Sequence, residues 1–133
     1  MTATSVTVTV FTPTYNRAYI IKKLYDSLCK QSCRSFEWLI VDDGSTDNTK
    51  EVIDEFMEIA TFSIRYFYQE NSGKHIAINR GVRESKGELF FIVDSDDYLS
   101  EMAVERIQSD YKAIIGDTTF CGLSYLRAYH EGK

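Results

Sequence analysis

One acidic cluster directly follows an apolar run: Phe90-Phe91-Ile92-Val93 leads into Asp94-Ser95-Asp96-Asp97. The apolar run predicts a strand buried on both faces, and the carboxylates that follow it repel one another where the strand ends. Mg²⁺ and Mn²⁺ prefer carboxylate, water and phosphate oxygens. We therefore expect Asp94 and Asp96 to hold Mg²⁺ or Mn²⁺. The alternative is that the cluster only caps the next helix, which needs one carboxylate rather than three.

A second acidic pair repeats this pattern, because Trp38-Leu39-Ile40-Val41 leads into Asp42-Asp43-Gly44. Two adjacent carboxylates would repel a phosphate. They suit the other end of a nucleotide, where they can accept hydrogen bonds from a base N–H or from ribose hydroxyls. An Asx turn that caps the following helix remains the alternative for this pair.

Aromatic and cationic side chains complete the candidate site. Tyr15 follows Pro13 at the end of the first predicted strand, where its ring could stack on a base or only anchor a loop. Arg17 and Lys74 lie in loops and could supply positive charge to phosphates. A lone surface lysine is more often solvated, so Lys74 alone would be a weak candidate.

The elements that must position these residues alternate between strand and helix. Valines alternate with threonines from Val6 to Phe11, and this strand is expected to stop at Pro13, the chain's single proline. Asn48 with Glu51 predicts a capping box for the second helix, and Gly87 a left-handed end for the third. The other predicted strands cover residues 36–41, 63–69, 89–93 and 118–129.

This alternation predicts a three-layer α/β sandwich with a mostly parallel sheet and right-handed crossovers. Ligands of such sheets bind at the carboxyl ends of the strands, near the point where the strand order reverses. The predicted metal and nucleotide residues all fall at those ends, so the sequence favours a single site.

Composition limits the class of protein. The 133 residues are enough for one domain, and the net charge of −5 argues against nucleic-acid binding. No apolar stretch approaches the roughly 20 residues of a membrane span. Cys29, Cys33 and Cys121 are expected to be reduced thiols rather than zinc ligands. We expect a soluble, cytoplasmic protein.

Four short motifs, taken together and in order, strongly resemble those of the family-2 glycosyltransferases. They are Pro13-Thr14-Tyr15-Asn16, Val41-Asp42-Asp43-Gly44-Ser45-Thr46-Asp47, Asn71-Ser72-Gly73-Lys74 with Asn79 and Gly81, and Asp94-Ser95-Asp96-Asp97. The resemblance covers nearly the whole chain and implies the GT-A fold. It also implies metal-dependent, inverting transfer of a hexose-type sugar from a nucleotide diphosphate to an acceptor hydroxyl, as in polysaccharide biosynthesis.

The resemblance also implies roles for individual residues. Tyr15 would stack on the base, usually uracil, and Asp43 would hydrogen-bond that base with Asp42 nearby. Lys74 would lie near the donor. Asp94 and Asp96 would form the Asp-X-Asp motif and contact ribose and metal respectively. Pro13 and Arg17 complete the expected nucleotide site.

One departure from the family pattern concerns the second half of the enzyme. Family members continue into an acceptor-binding half that contains an acidic general base. Nothing after Gly116 resembles that half, and neither Asp117 nor Glu131 lies in a sequence context that fits the base. Residues 1–133 are thus expected to be the nucleotide-sugar-binding part. The catalytic base is expected beyond Lys133, and the acceptor would be a carbohydrate or a lipid-linked sugar.

Two further expectations follow from that departure. The surface that the missing half would cover could support a homodimer. The full-length protein could be held at the inner face of a membrane through segments outside this chain.

A different functional class, a metal-binding receiver-like signalling module, also places carboxylates at strand ends. A receiver would carry acids after its first strand and a phosphoacceptor after its third. Here Pro13-Thr14-Tyr15 and Gln69 take those places. A pyrophosphorylase or dinucleotide-binding dehydrogenase would need a glycine-rich loop after the first strand, and residues 12–17 contain no glycine.

Overall fold

The computed structural model describes residues 7–114, with side chains described through Tyr111. Strands and helices alternate along this part of the chain, as expected. The predicted strand over residues 118–129 and Cys121 lie outside the described residues. The elements, in chain order, are β1 (Val8–Thr14), α1 (Ile21–Cys29), β2 (Phe36–Asp42), α2 (Thr49–Ile59), β3 (Ser63–Tyr68), α3 (Lys74–Glu84), β4 (Leu89–Ile92) and α4 (Ala103–Ile114).

The four strands form a parallel sheet in the order β3-β2-β1-β4. The chain moves outward from β1 through β2 to β3 and then returns to the other side of β1 as β4. The strand order therefore reverses between β1 and β4, and the carboxyl ends of these two strands flank the reversal point.

The two faces of the sheet carry different helices, because right-handed crossovers in opposite directions fall on opposite faces. One face packs on residues of α1, α2 and α4, such as Leu24, Phe56 and Val104, and its centre is the fully buried Trp38. The other face is smaller and packs on Ala77 of α3. This arrangement confirms the three-layer α/β sandwich.

The sequence predicted that β1 stops at Pro13, and this prediction is wrong. The strand continues to Thr14, where it pairs with Asp42 of β2. Pairing with β4 already ends at Phe11, whose carbonyl accepts the N–H of Val93. Pro13 has the same orientation as Phe11, so its missing N–H faces the side where the β4 ladder has ended. The proline therefore removes no ladder hydrogen bond.

β4 is less buried than its apolar sequence predicted. Phe90 and Phe91 are half-buried, and Ile92 is 43% exposed. Burial on both faces is therefore wrong for β4, although it holds for β2, where Trp38, Leu39, Ile40 and Val41 are fully buried. The difference reflects position, because β2 lies between two strands whereas β4 pairs only with β1 among the described residues.

Both predicted helix ends differ from the structure. Asn48 makes no side-chain cap hydrogen bond, and the first turn of α2 is instead capped by Asp47, which accepts the Thr49 N–H at 3.0 Å. α3 ends at Glu84, and Gly87 is not in the left-handed region. A Cβ at Gly87 would lie 2.7 Å from the backbone nitrogen of Thr9, so this glycine allows close approach to β1 instead.

A buried ion pair fastens the carboxyl end of α3 to the sheet. Glu37 of β2 accepts hydrogen bonds from Arg65 Nε at 2.9 Å, from the Thr9 hydroxyl at 2.6 Å and from the Lys86 N–H at 2.9 Å. Arg65 also donates to the carbonyl of Glu84. Burial acts to raise the pKa of Glu37, but these donors and the Arg65 charge outweigh it, so the pKa lies below its ordinary value.

Candidate functional site

A cleft of about 350 Å³ opens at the carboxyl ends of β1 and β4, beside the amino end of α3. Seven of the eight predicted site residues line this cleft, and the eighth, Asp42, is fully buried and is not part of the lining. The lining consists of Pro13, Thr14, Tyr15, Arg17, Asp43, Asn71, Gly73, Lys74, Ala77, Asp94, Ser95 and Asp96. Side chains from four separate segments thus meet at the predicted edge of the sheet.

Asn16 holds the loop that carries Tyr15 and Arg17. Its backbone has a φ of +53°, a left-handed conformation that asparagine tolerates better than most residues. Its side-chain oxygen accepts the N–H groups of Thr46 at 2.7 Å and Asp47 at 3.2 Å. The loop after β1 is therefore tied to the loop after β2. Tyr15 is 46% exposed and lines the cleft.

Asp43 organises the loop between β3 and α3. One carboxylate oxygen accepts the Gln69 side-chain amide at 3.0 Å and the Ser72 N–H at 2.9 Å, and the other accepts the Gly73 N–H at 2.9 Å. The Asn71 amide donates to the Asp43 carbonyl at 2.9 Å. Asp43 therefore sets where this loop, and with it the start of α3, lies above the end of β2.

The protonation state of Asp43 follows from these contacts. The carboxylate is only 6% exposed, and burial acts to raise its pKa. Hydrogen bonds from Gln69, Ser72 and Gly73, together with the nearby His75, outweigh burial and hold the pKa below its ordinary value. The side chain is thus a hydrogen-bond acceptor at neutral pH.

Asp42 has a different environment from its neighbour. It is fully buried, and its two oxygens accept the Ser45 N–H at 2.8 Å and the Tyr66 hydroxyl at 2.5 Å. Burial, together with this contact to Asp42, raises the pKa of Tyr66. The sequence left open an Asx turn over Asp43-Gly44-Ser45-Thr46 that caps the following helix. In the structure Asp42, not Asp43, accepts the Ser45 N–H, and Asp47 caps α2. Asp42 is not among the residues that line the cleft.

The acidic cluster after β4 presents oxygen atoms in a compact group. Asp94, Asp96 and Asp97 can each offer one carboxylate oxygen, and these oxygens all lie within 4.8 Å of one another. The Asp97 N–H donates to the Asp94 carbonyl at 3.0 Å, which closes the turn. Hard carboxylate oxygens at this spacing fit Mg²⁺ or Mn²⁺, with water completing the coordination shell.

Lys74, which also lines the cleft, contacts this acidic cluster. It is the first residue of α3, and its Nζ lies 2.9 Å from Asp94 Oδ1. The side chain remains 59% exposed, and that of Asp94 is 37% exposed. Sequence reasoning placed Lys74 near the donor but did not pair it with Asp94, because the contact depends on how α3 begins above the sheet.

Several lining residues were not predicted as site residues. Asn71 and Gly73 belong to a motif that the sequence analysis quoted, so their glycine-containing turn was a signal for them. Thr14 and Ser95 likewise lie inside two of the quoted motifs, whereas Ala77 carried no such signal. Ala77 is a buried helix residue whose position at the cleft follows from the packing of α3 on β1 and β2.

Comparison with known proteins gives the family. The sequence profile described as "Glycosyl transferase family 2" matches residues 9–126. The chain belongs to glycosyl transferase family 2. Two relatives from Streptococcus pneumoniae serotype 4 are glycosyltransferase GlyG, 35% identical over 116 residues, and glycosyltransferase GlyA, 37% identical over 108 residues. Because the chain belongs to this family, the alternative of a receiver-like signalling module is wrong.

The aligned region is only part of each relative. It covers 83% of this chain and 38% of GlyG, and 81% of this chain and 15% of GlyA. The chain therefore spans less than half the length of these relatives.

Solved structures agree with the family. Staphylococcus aureus TarS 1–349 in complex with UDP has a TM-score of 0.74 at 28% identity, covering 80% of this chain and 32% of TarS 1–349. The mannosyltransferase PcManGT from Pyrobaculum calidifontis, in complex with GDP-Man and Mn²⁺, has a TM-score of 0.75 at 28% identity, covering 87% of this chain and 34% of PcManGT. The fold is thus the GT-A fold that the resemblance implied.

Among residues 7–114 no helix combines the length and the apolar character required to cross a membrane.

Proposed function

We propose that this chain is the donor-binding part of a metal-dependent, inverting glycosyltransferase that moves a hexose-type sugar from a nucleoside diphosphate to an acceptor hydroxyl. The observation that carries the proposal is the meeting of an aromatic ring, a buried carboxylate, a lysine and an acidic cluster in one cleft. These groups are Tyr15, Asp43, Lys74, Asp94 and Asp96. Each offers the chemistry that one part of a sugar nucleotide requires.

The base would bind between Tyr15 and Asp43. The exposed Tyr15 ring offers a stacking face, and Pro13 borders the same part of the cleft. Asp43 already accepts three hydrogen bonds, which leaves room for about one more from a base N–H. We favour uracil, because related TarS was solved with UDP and with UDP-GlcNAc. GDP is the nucleotide to compare with UDP, because related PcManGT was solved with GDP-Man.

The diphosphate would lie toward the amino end of α3. Lys74 and Arg17 are the cationic side chains of the cleft lining, and an anion near the first turn of a helix is also favoured by the helix dipole. Asp94 and Asp96 would hold Mg²⁺ or Mn²⁺, and Asp94 would also contact ribose. A bound divalent cation would neutralise the charge that develops on the departing diphosphate.

Other parts of the reaction require residues outside this site. The general base of an inverting transfer would deprotonate the acceptor hydroxyl, and we infer that it lies in a half of the enzyme beyond this chain. The acceptor would be a carbohydrate or a lipid-linked sugar. The role proposed for Asp42 is indirect, since it shapes the nucleotide pocket through Ser45. A homodimer through uncovered surface also remains a proposal.

Calorimetry of the 133-residue chain tests this function directly. We expect UDP to bind in the presence of Mn²⁺ and to bind at least tenfold more weakly after chelation by EDTA. GDP and ADP are the comparison nucleotides. Equal binding of UDP with and without Mn²⁺ would remove the metal-dependent part of the proposal, and failure of every nucleotide to bind would remove the donor site itself.

A further inference from the structure

The contact between Lys74 and Asp94 joins the acidic cluster, which would bind a cation, to the start of α3, where an anionic diphosphate would bind. Lys74 Nζ lies 2.9 Å from Asp94 Oδ1, and Asp94 shares its oxygen cluster with Asp96 and Asp97. The ammonium group therefore sits where positive charge is required when no other cation is present. A diphosphate bound beside α3 would also require the positive charge of this ammonium group.

We propose that Lys74 acts as a substitute cation on Asp94 in the donor-free protein, and that a nucleoside diphosphate draws it away so that Mn²⁺ or Mg²⁺ can bind there. Lys74 would thus be a positioning residue that makes nucleotide and metal binding cooperative. This inference rests on the proposed function, because it takes the acidic cluster as the metal site and the cleft as the diphosphate site.

Charge in the cluster supports this exchange. Asp94, Asp96 and Asp97 carry three negative charges when ionised, and Lys74 offsets one of them. A divalent cation added while Lys74 remains on Asp94 would approach a positive charge at close range. The two cations would compete for the same carboxylate, and their repulsion would weaken metal binding by about fivefold in water and physiological salt.

The structure allows the lysine to move without disturbing the loop that carries it. Asp43 holds the backbone at Ser72 and Gly73 by two hydrogen bonds, so the start of α3 is fixed. The Lys74 side chain itself is 59% exposed, and exposed ion pairs contribute little to stability. A diphosphate carries more negative charge than one carboxylate and would compete well for the ammonium group.

Titration of the 133-residue chain with Mn²⁺ tests the exchange, with free Mn²⁺ followed by electron paramagnetic resonance and no nucleotide present. Lys74→Met removes the charge but keeps an unbranched side chain, and we expect Mn²⁺ to bind it about fivefold more tightly than the wild type. Lys74→Arg keeps the charge and should match the wild type. Lys50→Met is the matched control, because Lys50 pairs with Asp54 on α2, does not line the cleft and should leave Mn²⁺ affinity unchanged.

A second titration adds saturating UDP and measures the coupling. In the wild type, UDP should tighten Mn²⁺ binding, and in Lys74→Met this increase should be at least threefold smaller. Thermal unfolding of each variant verifies that the chain is folded. If Lys74→Met is not folded, Lys74→Gln provides the same loss of charge with a polar side chain.

The outcomes separate this inference from the proposed function. Unchanged or weaker Mn²⁺ binding by Lys74→Met, with UDP still binding normally to the wild type, would overturn the inference alone. Tighter Mn²⁺ binding by Lys74→Met without UDP binding by any variant would preserve the competition for Asp94 and overturn the nucleotide function. Absence of Mn²⁺ binding in every variant would overturn the inference together with the metal site.

Discussion

Replacement of Asp43 by asparagine is the sharpest test of how this cleft is built. In the wild type one Asp43 oxygen accepts Gln69 and Ser72, and the other accepts the Gly73 N–H. Asparagine keeps one oxygen for the first two donors, but its NH₂ group would then face the Gly73 N–H. The variant loses at least one charge-assisted hydrogen bond and leaves a donor without an acceptor. We expect a loss of about 2–3 kcal/mol in the free energy of unfolding.

Urea unfolding followed by circular dichroism measures this loss, since a single domain of this size should unfold in one cooperative step. Asp54→Asn is the matched control, because Asp54 pairs with Lys50 on the exposed face of α2. It should change the free energy of unfolding by less than about 0.5 kcal/mol. A value for Asp43→Asn as small as that of the control would refute the assignment of Asp43 as the organiser of the β3–α3 loop.

The pH dependence of the same variant gives an independent measure. The pKa of Asp43 in the folded protein lies below the ordinary value of 3.8. Its ionised form therefore contributes stability that is fully present above that ordinary value and is lost as the pH falls through the folded pKa. The stability difference between wild type and Asp43→Asn should be constant above about pH 5 and should shrink below pH 3.8. A difference that stays constant down to unfolding in acid would contradict the lowered pKa.

Substitutions at three further residues test the scaffold and the base site. Gly44→Ala should lower the free energy of unfolding by about 2–4 kcal/mol in urea, because Gly44 has a φ of +91° and a Cβ there would lie 2.7 Å from the Asn71 nitrogen. Glu37→Gln should lower it by about 2 kcal/mol, because Arg65 loses its charged partner. That difference should shrink as the pH falls below 4.5 and through the lowered folded pKa of Glu37, as acid titration by circular dichroism can show. Tyr15→Ala should weaken UDP binding by about tenfold in calorimetry, whereas Tyr15→Phe keeps the stacking ring and should bind within about threefold of the wild type.

Most of the sheet could be predicted because strand burial has a clear signal in the sequence. A continuous apolar run such as Trp38–Val41 indicates a central parallel strand, and an acidic pair directly after it indicates the carboxyl edge. The same signal was less accurate for Ile92, because an apolar run does not show whether a strand has neighbours on both sides. Likewise, Pro13 was taken as a strand end because the sequence does not show which side of the backbone a neighbouring strand occupies.

Helix ends were harder to predict than helices. Asn48 and Asp47 are both good capping residues, and only the path of the chain after β2 brings Asp47 to the Thr49 N–H. Gly87 fits a left-handed helix end by its residue type, but its actual requirement is space beside Thr9 of β1. The residue that caps α2 and the role of Gly87 are both decided by contacts with residues distant in sequence. A local sequence pattern does not contain these contacts.

The environments of the acidic residues also depend on contacts distant in sequence, because they follow from the position of the preceding strand in the sheet. Asp42 and Asp43 lie at the end of a central strand, where neighbouring loops bury them and supply N–H and hydroxyl donors. Asp94 and Asp96 follow an edge strand of the described sheet and stay accessible at the cleft. Buried carboxylates with donors already in place can hold loops, whereas accessible ones can exchange a lysine for another cation. Strand position in the sheet, more than residue type, therefore determines which acids hold the loops of the cleft and which remain accessible to a cation.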